Sequence, residues 1–86
     1  MTSMTKENAR AELRRWVVAT SGKIQESELK DDTALLEQRI ISSLHVADLV
    51  LFIEGLREAP IDIARMNGKT LRSIDTICAT FLGELS

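Results

Sequence analysis

Apolar residues return at helical intervals in three stretches of this chain, and no two-residue alternation persists long enough to suggest a strand. In the first stretch Ala9, Leu13, Trp16, Val17 and Thr20 stand three and four apart, which gathers them on one face. This spacing predicts a helix from about Lys6 to Thr20. Ser3 or Thr5 can cap it, Glu7 lies near the positive end of its dipole, and Ser21-Gly22 is a natural stop. Arg10, Glu12, Arg14 and Arg15 fall mostly off the apolar face. The second helix is expected from Ser43 to about Glu58, with Ser42 or Ser43 as cap. Leu49, Phe52, Ile53 and Leu56 face inward, and Pro60 ends the segment. Ile61-Asp62-Ile63 and Met66 suggest a short third helix, closed by Asn67-Gly68. The last helix is expected from Ser73 to about Leu85. Ile74, Ile77, Cys78, Phe81, Leu82 and Leu85 form its stripe, Ser73 its cap, and Asp75 sits in the first turn.

Between the first and second helices lies a polar stretch, Lys23 to Glu37, punctuated by Ile24, Leu29, Leu35 and Leu36. A connection this long in a small domain is commonly functional. It reads as an ordered loop pinned by those apolar side chains, with room for a short helical turn. The expected architecture is all-α: one domain over residues 1–86, with 1–4 disordered, built as a small bundle of three main helices plus one short helix.

The second helix carries more apolar surface than one inward stripe needs. Steps of four from Ser43 reach Ala47 and Leu51, so these three share a face. That face is not the one bearing Leu49, Phe52, Ile53 and Leu56. Either the helix is central and covered nearly all round, or this face docks a partner.

Composition narrows the function. At 86 residues and 9.6 kDa only one small core is possible. One Cys excludes an internal disulfide, and one His excludes a Cys/His-rich zinc site. Three aromatic rings, Trp16, Phe52 and Phe81, are too few for a single-strand stacking platform. A net charge of −2 and an isoelectric point near 5.3 argue against a nucleic-acid footprint and a polybasic membrane anchor. Met1 to Arg15 lacks the apolar segment of a signal peptide, and no apolar run approaches a membrane span. A cytoplasmic protein is expected. Charge is uneven: residues 31–62 hold two Lys/Arg against seven Asp/Glu, a field that can steer a basic partner. No nucleophile, base and orienting group stand together, so no catalytic residue is expected. Cys78 and Trp16 read as core residues, and His45 as an exposed one.

The order of these features resembles the acyl carrier protein family. The resemblance starts at Asp31-Asp32-Thr33-Ala34-Leu35-Leu36. It continues through Ile41-Ser42-Ser43-Leu44 and the helix to Leu56, and it closes with Ile61-Asp62-Ile63 and the terminal helix. It covers nearly the whole chain. In that family a serine at the start of the second helix, followed by Leu, carries a 4′-phosphopantetheine arm. Carried over, the serine is Ser43 and the leucine Leu44. The family's usual Asp before the serine is Ser42 here, which leaves two adjacent hydroxyls and bears on whether and by which transferase the chain is modified. The Leu at 44 and the helix register favour Ser43.

The resemblance implies a carrier-like fold and a stand-alone, monomeric carrier without enzymatic activity of its own. An acyl or aminoacyl group would be tethered as a thioester on an arm derived from coenzyme A and presented to partner enzymes. The run Leu35 to Leu44 looks like stand-alone carriers charged with amino acids by ligases related to aminoacyl-tRNA synthetases, which implies a small amino acid as cargo. Partners would be a phosphopantetheinyl transferase, a loading ligase and downstream acyl- or aminoacyl-using enzymes, with neither nucleic acid nor membrane. Their contacts would fall on Leu44, Ala47, Asp48 and Leu51, with Asp32 or Glu37 from the loop. The alternative is a helical interaction module that keeps the fold and takes no arm.

Overall fold

The first helix, α1, spans Lys6–Ser21 of a computed structural model that describes residues 5–83, with only the backbone of Ile63 included. The expected disorder of residues 1–4 and the place of Leu85 lie outside the described residues. Both ends of α1 are set locally. The Thr5 hydroxyl accepts the Asn8 N–H at 3.1 Å. Gly22, at φ 64°, adopts the left-handed conformation and donates its N–H to the Val18 carbonyl. Ala9, Leu13 and Val17 are fully buried along the inward face. Trp16, expected in the core, is only half-buried: it stacks on Phe52 at 5.5 Å between centroids and closes the rim.

No helix intervenes between Gly22 and Ser42, yet the connection is ordered throughout. Leu29 and Leu35 enter the core as expected, Ile24 and Leu36 pack at its edge, and Ile40 and Ile41 add two further buried side chains. Polar tethers hold the backbone. Arg14 donates to the Leu29 carbonyl at 2.6 Å and to the Glu26 carbonyl at 3.1 Å. Asp31 receives Arg14 at 2.7 Å and Arg10 at 2.9 Å, and Arg10 also reaches Asp75 at 2.6 Å. The two arginines that lie off the apolar face of α1 thus bind the loop to α1 and to the last helix. Residues 34–40 make a single helical turn. Arg39 donates its N–H to the Leu36 carbonyl at 3.1 Å and Ile40 to the Leu35 carbonyl at 2.9 Å, the paired bonds of a Schellman ending.

The second helix starts differently from the expectation. Ser43–His45 form a 3₁₀ turn, and α2 proper spans Val46–Arg57. Leu49, Ile53 and Leu56 are buried, while Phe52 is half-buried against Trp16. The short third helix is reduced to a 3₁₀ turn over Ile63–Arg65. Side chains divert its backbone: Asp62 accepts the Ala64 N–H at 3.0 Å, and Asn67 accepts those of Lys69 and Thr70 at 2.8 and 3.0 Å. The three expected main helices are present, the short one is a 3₁₀ turn, and a second 3₁₀ turn opens α2 among the described residues.

The last helix, α3, spans Ile74–Phe81 and stops short of Leu85. Ser73 caps it as expected, accepting the Thr76 N–H at 3.2 Å while its own N–H donates to Thr76 Oγ1 at 2.9 Å. At the far end Gly83 folds closely over the final turn, where an added Cβ would stand 3.1 Å from the Ala79 carbonyl oxygen. Ile74, Ile77 and Phe81 are buried, and α3 packs on α1. Cys78 is half-buried rather than central. The result is an all-helical bundle without strands among the described residues.

Candidate functional site

The entry to α2 separates the two adjacent serines. Ser42 is the cap residue, with extended backbone at φ −106° and ψ 170°. Its N–H donates to His45 Nδ1 at 3.1 Å, and its hydroxyl lies 3.4 Å from the same nitrogen. Ser43 is the first residue of the 3₁₀ turn and is exposed. Among the described residues its hydroxyl has no hydrogen-bond partner. One serine is therefore engaged in closing the turn, and the other is exposed with no hydrogen bond on its hydroxyl among the described residues. His45 is expected to be exposed. It is half-buried and fixes the Ser42 backbone instead. The signal for this role was its spacing of three from Ser42, the spacing of a reciprocal cap.

The face beyond Ser43 is open. Leu44 is 86% exposed and Leu51 66%, and Ala47 and Asp48 are exposed between them. The choice between a covered helix and a helix with one free face falls to the second. Val46 and Val50 turn partly toward the core, so the exposed apolar surface is confined to the line through Leu44, Ala47 and Leu51. Leu44, in the 3₁₀ turn, and Leu51, on α2, are the most exposed large apolar side chains among the described residues.

The acidic contributions from the loop are smaller than a count of charges suggests. Asp31 is neutralised by Arg10 and Arg14, and Glu37 lies 3.4 Å from Arg72 Nε. Glu54 accepts the Ile61 N–H at 2.8 Å. Asp32 is exposed on the loop, and Asp48 on α2 beside Leu51. Asp32 and Glu37 belong to different turns of the loop, and only Glu37 stands in the turn that leads toward Ser43.

Beside Ser43 there is a groove of about 510 Å³. Three segments build it: the end of α1 at Ser21 and Lys23, the single helical turn with Leu36, Arg39 and Ile40, and the Ser42–His45 entry to α2. Its walls among the described residues include two cations and no carboxylate. Arg39 holds φ at 57°, the left-handed region where glycine is at ease and arginine is strained. Replacing it relieves that strain. Arg39→Gly is expected to stabilise the fold by about 0.5–1 kcal/mol, net of the freedom glycine regains when unfolded. Thermal denaturation reads this as a rise in Tm of about 3–5 °C, and a fall would mean that the Arg39 side chain secures the turn.

Cys78 is a free thiol. Burial pushes its thiol pKa up, and the nearby Arg10 guanidinium offsets this only in part. A raised pKa keeps the thiol in its protonated, weakly nucleophilic form. Cys78 also lies on α3, beside Arg10 and Asp75, and not on the Ser43 face. No described helix is long and apolar enough to cross a membrane.

A scan of protein-family models returns no match to this chain, and a search of curated proteins likewise finds no matching relative.

Proposed function

We propose that the chain is a stand-alone carrier protein of the acyl carrier type, with Ser43 as the attachment point of a 4′-phosphopantetheine arm. The observation that carries this reading is the division of labour between the two serines. Ser42 closes the turn with His45, while the exposed Ser43 hydroxyl is free to be modified without loss of a hydrogen bond from the fold. The site suits the group on physical grounds as well. Unpaired N–H groups at the helix entry and the positive end of the α2 dipole favour an anion there. The neighbouring groove offers Lys23 and Arg39 and no acid among its described walls.

Attachment is a displacement at phosphorus. The Ser43 oxygen bonds to the pantetheine-side phosphorus of coenzyme A as the pyrophosphate bond breaks. Adenosine 3′,5′-bisphosphate leaves, and the hydroxyl proton passes to a base of the transferase. Among the described residues no such base stands beside Ser43, since the His45 ring is turned to Ser42. The arm supplies a terminal thiol on which an acyl or aminoacyl group is held as a thioester. A small amino acid as cargo is consistent with a core filled by its own side chains. The role of this chain is then to position and to be recognised: Ser43 fixes the tether, and Leu44, Ala47, Asp48 and Leu51 form the surface read by a transferase, a loading ligase and later enzymes.

Intact mass after incubation with coenzyme A and a broad-specificity phosphopantetheinyl transferase tests the reading. The wild-type chain and Ser42→Ala gain one phosphopantetheine, and Ser43→Ala gains none. Absence of any gain, where a control carrier is modified, makes the chain a helical interaction module that takes no arm.

A further inference from the structure

We infer that the groove beside Ser43 is the resting place of the arm's inner half, with Lys23 and Arg39 holding its phosphodiester and Leu36 and Ile40 its apolar shoulder. This rests on the carrier reading above and adds to it a binding subsite on the chain's own surface. The first support is connectivity. Ser43 is itself part of the groove wall, so a group joined to its oxygen enters the groove without any search. The second is charge. A phosphodiester carries one negative charge at all working pH values, and the described walls offer Lys23 and Arg39 with no carboxylate to oppose it. This stands against the rest of the Ser43 neighbourhood in sequence: residues 31–62 carry seven acids and two bases, of which Arg39 is one.

The third support is the backbone at Arg39. A Schellman ending with φ at 57° is a position at which glycine is preferred. The chain instead places there the side chain best suited to a phosphate, at a cost in local strain. Strain kept where a simpler residue would relieve it points to a use for the side chain. The fourth is polarity along the groove. Next to its phosphate the arm bears a quaternary carbon with two methyl groups. Leu36 is half-buried and forms part of the wall with Ile40, which gives those methyls an apolar contact. A tethered arm of this kind is partly ordered near Ser43 and free at its thiol end, which keeps the cargo available to partners. Leu44, Ala47 and Leu51 are not among the groove's described walls, so an arm held there does not cover them.

The test is nuclear magnetic resonance on the isotope-labelled chain bearing the arm, with attachment verified by mass on the same sample. Nuclear Overhauser contacts are expected from the arm's two methyl groups to the side-chain methyls of Leu36 and Ile40. The Lys23 and Arg39 amides are expected to shift between the unmodified and modified forms. Arg39→Gly is the informative variant, because it relieves strain and keeps the turn. Combined with Lys23→Gln it should reduce the contacts by about two- to fivefold, the range for losing exposed charge pairs. Raising the salt concentration should weaken them in the wild-type chain. A modified chain without contacts to Leu36 and Ile40 overturns the subsite and leaves the carrier reading standing. Contacts that persist undiminished in the double variant overturn the role of the two cations. A chain that gains no mass overturns the carrier reading and the subsite together.

Discussion

Phe81→Ala is expected to remove most of the stability of this domain. Phe81 is 2% exposed at the end of α3, and its ring closes the core below Ile74 and Ile77. Truncating a buried phenylalanine costs about 3–5 kcal/mol through lost burial and the cavity left behind. A domain of this length has only about 5–10 kcal/mol to lose. The ring also serves the preceding connection. The Arg65 guanidinium lies over it at 5.7 Å and donates to the Thr80 carbonyl at 2.5 Å. Arg65 belongs to the 3₁₀ turn at Ile63–Arg65, so losing the ring loosens that turn as well as the helix. A drop in Tm of about 15–30 °C follows from the size scaling for small domains. Urea denaturation would read the same change as an early midpoint. A loss below 1 kcal/mol would mean that the core closes without α3, contrary to its packing on α1.

What the sequence discloses about this fold depends on how far its causes are separated along the chain. α1 is legible because both ends are set by residues within four positions, Thr5 with Asn8 and Gly22 with Val18. The Ser73 cap of α3 is legible for the same reason. The arginine tethers are not. Arg14 and Asp31 are 17 residues apart and Arg10 and Asp31 are 21, so neither charge marks the other as its partner. Arg10 and Arg14 therefore read only as a polar face of α1. The short third helix fails for a local reason: its apolar pattern is genuine, but Asp62 and Asn67 capture the backbone N–H groups a helix would need. The 3₁₀ entry to α2 hides behind two serines that look equivalent until His45 is seen to select one. Of the candidate site, Ser43 precedes α2 in a 3₁₀ turn, whereas the shared exposure of Ala47 and Leu51 follows directly from the helical step of four. The groove does not, because three segments distant in sequence make its walls. Nor does the backbone of Arg39, where the residue type signals the opposite of the conformation it adopts.

Leu51→Glu is expected to slow arm attachment by about tenfold or more while leaving the fold intact. The argument begins with geometry. Leu51 lies eight positions beyond Ser43, on the order of 12 Å along the helical axis. An enzyme that encloses the Ser43 hydroxyl and covers about 800 Å² of this chain, the ordinary footprint of one partner, reaches that far. Leu51 is 66% exposed, so its side chain gives little to the core and much to a visitor. A carboxylate in the middle of such a contact is desolvated without a counter-charge, which costs far more than the lost methyl groups. It also stands on the same short helix as Asp48 and Glu54, where an added negative charge repels its neighbours only weakly through water. The effect on stability should therefore stay within about 0.5 kcal/mol, as for other exposed substitutions. A time course of mass gain, run beside thermal denaturation of the same preparation, separates the two quantities. Unchanged attachment in a folded Leu51→Glu chain would take Leu51 out of the recognition surface and leave it to Leu44 and the loop. A slow rate accompanied by a lowered Tm would show that Leu51 supports α2 itself. A slow rate with an unchanged Tm is the expected result, because the line Leu44–Ala47–Leu51 is the apolar surface of α2 that the core leaves uncovered.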